Sequence, residues 1–101
     1  MRHTCHAHGC TRPVPPRMLA CKIHWFSLPK WLRDMVWREY RPGQEDDKSV
    51  TARYMAVQQL AVGHTAPDTE QTQYLKNALR WQREAITRGE GDPFESIPRG
   101  A

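Results

Sequence analysis

Cys5-His6-Ala7-His8-Gly9-Cys10 and, ten residues further on, Cys21-Lys22-Ile23-His24 decide how this chain folds. Four residues separate the first two cysteines, two separate Cys21 from His24, and the sequence holds no other cysteine. Each pair is short enough for both side chains to reach one ion. Three thiolates and an imidazole at this spacing suit a tetrahedral, structural zinc site made of Cys5, Cys10, Cys21 and His24, one ion per chain. His3, His6 and His8 surround the first pair, and His8 is the alternative to His24 as fourth ligand. Between the pairs, Pro13, Pro15 and Pro16 remove backbone donors and stiffen the connection, which lowers the entropy cost of joining the two half-sites.

The rest of the composition explains why a staple is useful. At 101 residues, 39% apolar and 26% charged, the chain can form one small domain with a limited core. Domains of this kind commonly add a metal or disulfides. An odd number of cysteines argues against disulfides. The start, Met1-Arg2-His3-Thr4-Cys5-His6, lacks the apolar region of a signal peptide, and no apolar run approaches the length of a membrane span. The expectation is a soluble protein, away from membranes, in a reducing compartment where clustered thiols favour metal.

Net charge is +4, unevenly spread. Residues 1–41 carry eight basic side chains against Asp34 and Glu39, whereas residues 42–101 carry seven basic and nine acidic ones. A basic N-terminal half is compatible with nucleic acid or with an acidic protein surface.

Beyond the ligand segment (1–26) the pattern predicts a mostly α domain of about three helices over 27–89, with 90–101 as a flexible tail. Ser27 reads as an N-cap and Pro29 as a first-turn residue. Leu28, Trp31, Leu32, Met35, Val36 and Tyr40 form one apolar stripe, and Arg41-Pro42-Gly43 stops the helix. A second helix is bounded by Ser49 and Gly63, with Val50, Tyr54, Val57, Leu60 and Ala61 on one face. A third runs from about Asp68 to Arg88, burying Leu75, Ala78, Leu79, Gln82, Ala85 and Ile86, and ends at Gly89. The link Gly63–Pro67 is longer than that of a helix-turn-helix, so the last two helices read as a packed hairpin.

Four protein ligands leave no position for a reactive water. No acidic residue occurs in 1–33 to act as a general base beside a hydrolytic metal, and the His-x-Glu of a zinc deaminase is missing. The chain therefore reads as non-enzymatic. Trp25, Phe26, Trp31, Trp37 and Tyr40 crowd into sixteen residues of the basic half. Trp31 and Tyr40 share the core stripe, but Trp37 lies off it. With Arg12, Arg17, Lys30, Arg33, Arg38 and Arg41 it makes a candidate basic-aromatic surface, suited to stacked bases or to a protein hot spot.

A loop knuckle paired with ligands at a helix start resembles the treble-clef class of zinc fingers over about the first forty residues. The run from Cys21 through Trp25-Phe26-Ser27-Leu28-Pro29-Lys30-Trp31-Leu32-Arg33, continued by Val36-Trp37-Arg38-Glu39-Tyr40-Arg41-Pro42-Gly43-Gln44, resembles small zinc-binding proteins of bacteriophages and prophages. That resemblance implies a mobile-element origin and a bacterial cytoplasm, and carries no activity with it. The leading expectation is contact with nucleic acid, or with machinery that handles it, through the basic half. An inhibitor or adaptor of a host protein is the alternative. A small HNH-like nuclease using the clustered histidines is the weaker one.

Overall fold

A short helix stands where the sequence reading places only the ligand segment, and Pro29 separates it from the first expected helix. The computed structural model describes residues 4–7, 9–15, 18–40, 50–95, 97 and 98. It places α1 (Lys22–Ser27) and α2 (Lys30–Glu39) on either side of this proline. A residue before proline is steered out of the α region, and Leu28 is accordingly extended, at φ −76° and ψ 145°. Ser27 is therefore not an N-cap. It ends α1, its hydroxyl donating to the His24 carbonyl at 2.6 Å, and Pro29 itself caps α2.

The remaining helices are α3 (Ala52–Thr65) and α4 (Asp68–Thr87). The N-cap of α3 is Thr51, whose hydroxyl accepts from the Tyr54 N–H at 3.0 Å. Ser49, the N-cap expected there, lies outside the described residues, as do His3, His8, Arg17, Arg41 and the Pro42-Gly43 stop. The start of α4 carries Asp68 and Glu70 in its first turn, where the helix dipole favours carboxylates. Its end is a Schellman motif built on Gly89 at φ +79°. The Gly89 N–H donates to the Ile86 carbonyl at 3.1 Å and the Glu90 N–H to the Ala85 carbonyl at 2.9 Å. Among the described residues there is no strand, only an isolated antiparallel bridge between Thr4 and Pro13.

Gly63 is inside α3 rather than beyond its end. A β-carbon built there would stand 2.7 Å from the Tyr74 Cβ, closer than such atoms ever come. Glycine is thus what lets α3 and α4 approach. The residues that α4 buries against this neighbour are Ala78 and Ala85, while Leu75, Leu79 and Ile86, expected in the core, are exposed. A two-residue link, Ala66-Pro67, joins the pair as a tight hairpin. Gln71 Nε2 donates to the Ala66 carbonyl across it at 3.0 Å.

The core is the joint product of the ligand segment and the helices. Cys5, Ala7, Leu19, Ala20 and Cys21 cluster with Trp25, Leu28, Leu32, Met35 and Val36, and α3 adds Val57 and Ala61. Arg53 locks the open ends of this arrangement. Its Nε donates to both oxygens of the largely buried Glu39 carboxylate, at 2.8 and 3.0 Å. Its Nη1 donates to the Glu90 carbonyl, and its backbone N–H to the Glu90 carboxylate, both at 3.0 Å. One side chain thus ties the end of α2 and the start of α3 to the turn after α4. The segment after Gly89, expected as a loose tail, folds back over its described part. Pro93 is buried, and Phe94 and Ile97 pack on the core.

Replacing Gly63 tests the close approach. Helix propensity alone would make Gly63→Ala stabilising by about 1 kcal/mol, whereas overpacking against a β-carbon costs roughly 1–3 kcal/mol. The Tyr74 Cβ is fixed to its backbone and cannot swing away, so Gly63→Ala is expected to lower the denaturant midpoint. A raised midpoint in urea unfolding would contradict this packing.

Candidate metal centre

Backbone geometry brings the four donors together before any ion is considered. In the first half-site the Cys5 N–H donates to the Arg12 carbonyl at 2.9 Å, the Cys10 N–H to Ala7 at 3.0 Å, and the His6 N–H to Leu19 at 3.0 Å. Gly9, at φ +76°, makes the turn that returns Cys10 toward Cys5. The Ala7 N–H points at the Cys5 sulfur at 3.4 Å. That donor would stabilise a thiolate. In the second half-site Cys21 is the N-cap of α1. Its carbonyl accepts from the Trp25 N–H at 2.8 Å. Side chains at the N-cap and at the third helical position meet in a capping box, and His24 occupies that third position.

The result is a cluster of Cys5, Cys10, Cys21 and His24 whose ligand atoms all lie within 4.8 Å of one another. His24 Nδ1 is 3.2 Å from the Cys21 sulfur and 3.5 Å from the Cys5 sulfur. A tetrahedral zinc ion, with Zn–S of about 2.3 Å and Zn–N of about 2.0 Å, sets sulfur and nitrogen roughly 3.5 Å apart. Donor set and spacing therefore fit one metal ion, and zinc best. Cys5 and Cys21 are buried, and Cys10 and His24 half-buried. None of the three cysteines is in a disulfide.

The thiols are not equivalent. Burial works against the Cys21 thiolate, but hydrogen bonds from the His24 backbone and ring, and from Cys5 and Cys10, outweigh it and lower this thiol to about 7. Cys5 goes the other way, pushed up by burial first and by sharing protons with Cys10 and Cys21. A metal ion arriving here displaces the remaining thiol protons. His6, the other described histidine of the first pair, turns its Nδ1 to the Leu19 carbonyl at 3.1 Å.

The expected binding surface is distributed over the ligand segment and α2. Arg12 and Arg38 are exposed. Lys30 is exposed and paired with Asp34 at 2.8 Å. Arg33 stands on the Phe26 ring, its guanidinium carbon 5.2 Å from the centroid, with a buried Nε that has no hydrogen-bond partner. Trp37 is 51% exposed and makes edge-to-face contacts with Trp25 and Tyr40, each at 6.0 Å. Lys30, Arg33 and Trp37 recur at three- and four-residue spacing, so they share the face of α2 opposite Leu32, Met35 and Val36. Sequence reading did not single out Ile23, exposed at 58%, and counted Phe26, exposed at 60%, only among the crowded aromatics. The signal was present: once Cys21 and His24 turn inward at the start of α1, the residues between and beyond them must turn out.

No helix among the described residues is long and apolar enough to cross a membrane. No protein-family model matches the chain, and neither a curated protein nor a solved structure is similar to it.

Elemental analysis of the purified chain is expected to give one zinc per molecule. Structural zinc contributes roughly 10–16 kcal/mol over four ligands, so one lost ligand should cost about two orders of magnitude in affinity. Cys10→Ser and His24→Ala are expected to lose the metal during competition with a chelator, whereas His6→Ala keeps it. Full zinc in Cys10→Ser would show that the ligand set is wrong.

Proposed function

We propose that this chain is a non-enzymatic module in which Cys5, Cys10, Cys21 and His24 hold one structural zinc ion. The basic-aromatic surface that the ion steadies contacts nucleic acid, or the machinery that handles it. The observation that carries the reading is the pairing of a cation with accessible rings on α1 and α2: Arg33 lies over Phe26, and the half-exposed Trp37 follows Arg33 one turn along the same face. Arg38 is exposed further round α2. Arginine and aromatic faces together suit stacked bases and phosphates. Arg12, Arg17, Lys30 and Arg41 add charge to the same half of the chain. Four protein donors supply the closed coordination of a structural site. The bacteriophage resemblance fits work in a bacterial cytoplasm.

A second reading rests on Ile23 and Phe26. Two large apolar side chains more than half exposed on one short helix also suit a protein partner, in which case the chain is an inhibitor or adaptor of a host protein.

Fluorescence anisotropy with random-sequence single strands and duplexes, of DNA and of RNA, separates the two. If about four phosphates are contacted, affinity should fall roughly 100-fold between about 50 and 200 mM salt. The pair Arg33→Ala and Arg38→Ala should reduce the logarithmic salt slope by about two. An absence of binding to every one of these probes at low salt sinks the nucleic-acid reading and leaves the protein partner.

A further inference from the structure

The α3–α4 hairpin carries a second surface, away from the metal centre. Leu75 and Leu79 on α4 are 49% and 45% exposed, and Ile86, two turns further on, is 54% exposed. Spacings of four and seven residues align them in one stripe. At its N-terminal end the stripe runs into a cleft of about 480 Å³ between the two helices. Leu60, Gly63 and Leu75 line it, with Gln59, Gln71 and His64 also at its wall. Along one edge of the stripe run Lys76, Arg80 and Arg83, themselves spaced by four and three residues. No ion pair engages these three among the described residues. Between Glu70 and Glu84 α4 has no carboxylate, and α3 has none at all. Glu84 is already bound to Arg88 at 2.8 Å.

We infer that this groove docks an amphipathic helix of a partner protein, its apolar face on Leu75, Leu79 and Ile86 and an acidic flank against Lys76, Arg80 and Arg83. Charge complementarity selects this occupant. A two-fold pairing of this chain with itself uses the same patch on both subunits, which would bring two copies of one basic band into a single interface. An apolar stripe and cleft between packed helices is the surface that helix-in-groove recognition uses, read by anchors one helical turn apart. The basic band adds discrimination between partners.

The test uses the full-length chain and two labelled amphipathic peptides with the same leucine face, one flanked by glutamates and the other by lysines. The acidic peptide is expected to bind at least about tenfold more tightly than the basic one. Leu79→Glu should weaken it by about tenfold or more. Combined Lys76→Glu, Arg80→Glu and Arg83→Glu should reverse the preference, a gain that an unfolded variant cannot mimic. Equal binding of both peptides, or no binding of either, overturns the inference. So does a dimer in sedimentation that Leu79→Glu dissolves, since a second copy would then own the stripe. Binding of random duplex DNA that the triple charge reversal abolishes, with no acidic-peptide binding, assigns the band to nucleic acid instead.

Discussion

Four donor atoms within 4.8 Å of one another are the constraint on which the rest of this structure leans. The described residues among the first twenty contain neither helix nor strand, yet they supply Cys5, Ala7, Leu19 and Ala20 to the core. A few backbone hydrogen bonds are a weak hold on such a segment, because each is worth only about 1 kcal/mol net. Fixing its residues costs roughly 1–2 kcal/mol apiece in backbone entropy. A metal ion held by Cys5, Cys10, Cys21 and His24 would offset that cost at one point. It would also couple the irregular segment to α1, because two of the four donors are the N-cap and third residue of that helix. Trp25, one residue beyond His24, is thereby driven into the core beside Leu19. Ile23 and Phe26 are turned outward.

The parts legible in the sequence are those that local chemistry determines. Ligand spacing identifies the cluster, because only short separations let two side chains reach one ion. The helix α4 is bounded almost as predicted, because Asp68 and Gly89 are strong end signals in the same direction as the periodicity. The misreadings occur where two local rules compete, or where a distant contact decides. Ser27 and Pro29 both favour a helix start. The chain instead caps α1 at Cys21, which sets Cys21 and His24 toward the same cluster, so Ser27 becomes an end and Leu28 takes the extended form that Pro29 demands. Gly63 satisfies the rule for a helix stop but answers to Tyr74 on another helix. The apolar stripe of α4 is real, but its burial is not. Periodicity reports that Leu75, Leu79 and Ile86 share a face and cannot report that the helix packed against α4 leaves them exposed and buries Ala78 and Ala85 instead. Phe94 and Ile97 are too few to announce a packed segment until Arg53 and Glu90 are seen to bring it home.

Folding also redistributes the charge that composition only totals. Of the two carboxylates in residues 1–41, Glu39 is spent on Arg53 of α3, and Asp34 pairs with Lys30 at the surface. An exposed pair of that kind contributes little and screens readily. Arg12, Lys22 and Arg38 are left exposed, and Arg33 stands on Phe26. The positive field of the N-terminal half is therefore hardly offset from within. On α4 the same logic produces the opposite texture: Glu84 is taken by Arg88, and Lys76, Arg80 and Arg83 form a basic band beside an apolar stripe with no ion pair among the described residues.

These two surfaces differ in what they demand of the metal. The α1–α2 surface is built on the donor cluster itself, since Phe26 sits two residues beyond His24 and Arg33 rests on its ring. Any loosening of the four ligands moves that surface directly. The α3–α4 groove is held by Gly63 against Tyr74, by the buried Ala78 and Ala85, and by the Asn77 amide on the Gln59 side chain at 3.1 Å. None of these residues is within forty positions of Cys10 in the chain or touches a ligand among the contacts described. Val57 and Ala61, with Leu60 packed beside them, carry α3 into the core that the cysteines share, and Ala61, Val62 and Thr65 line a cleft together with His24. Losing the ion should therefore disorder the basic-aromatic surface first, and the hairpin groove only through the core they have in common.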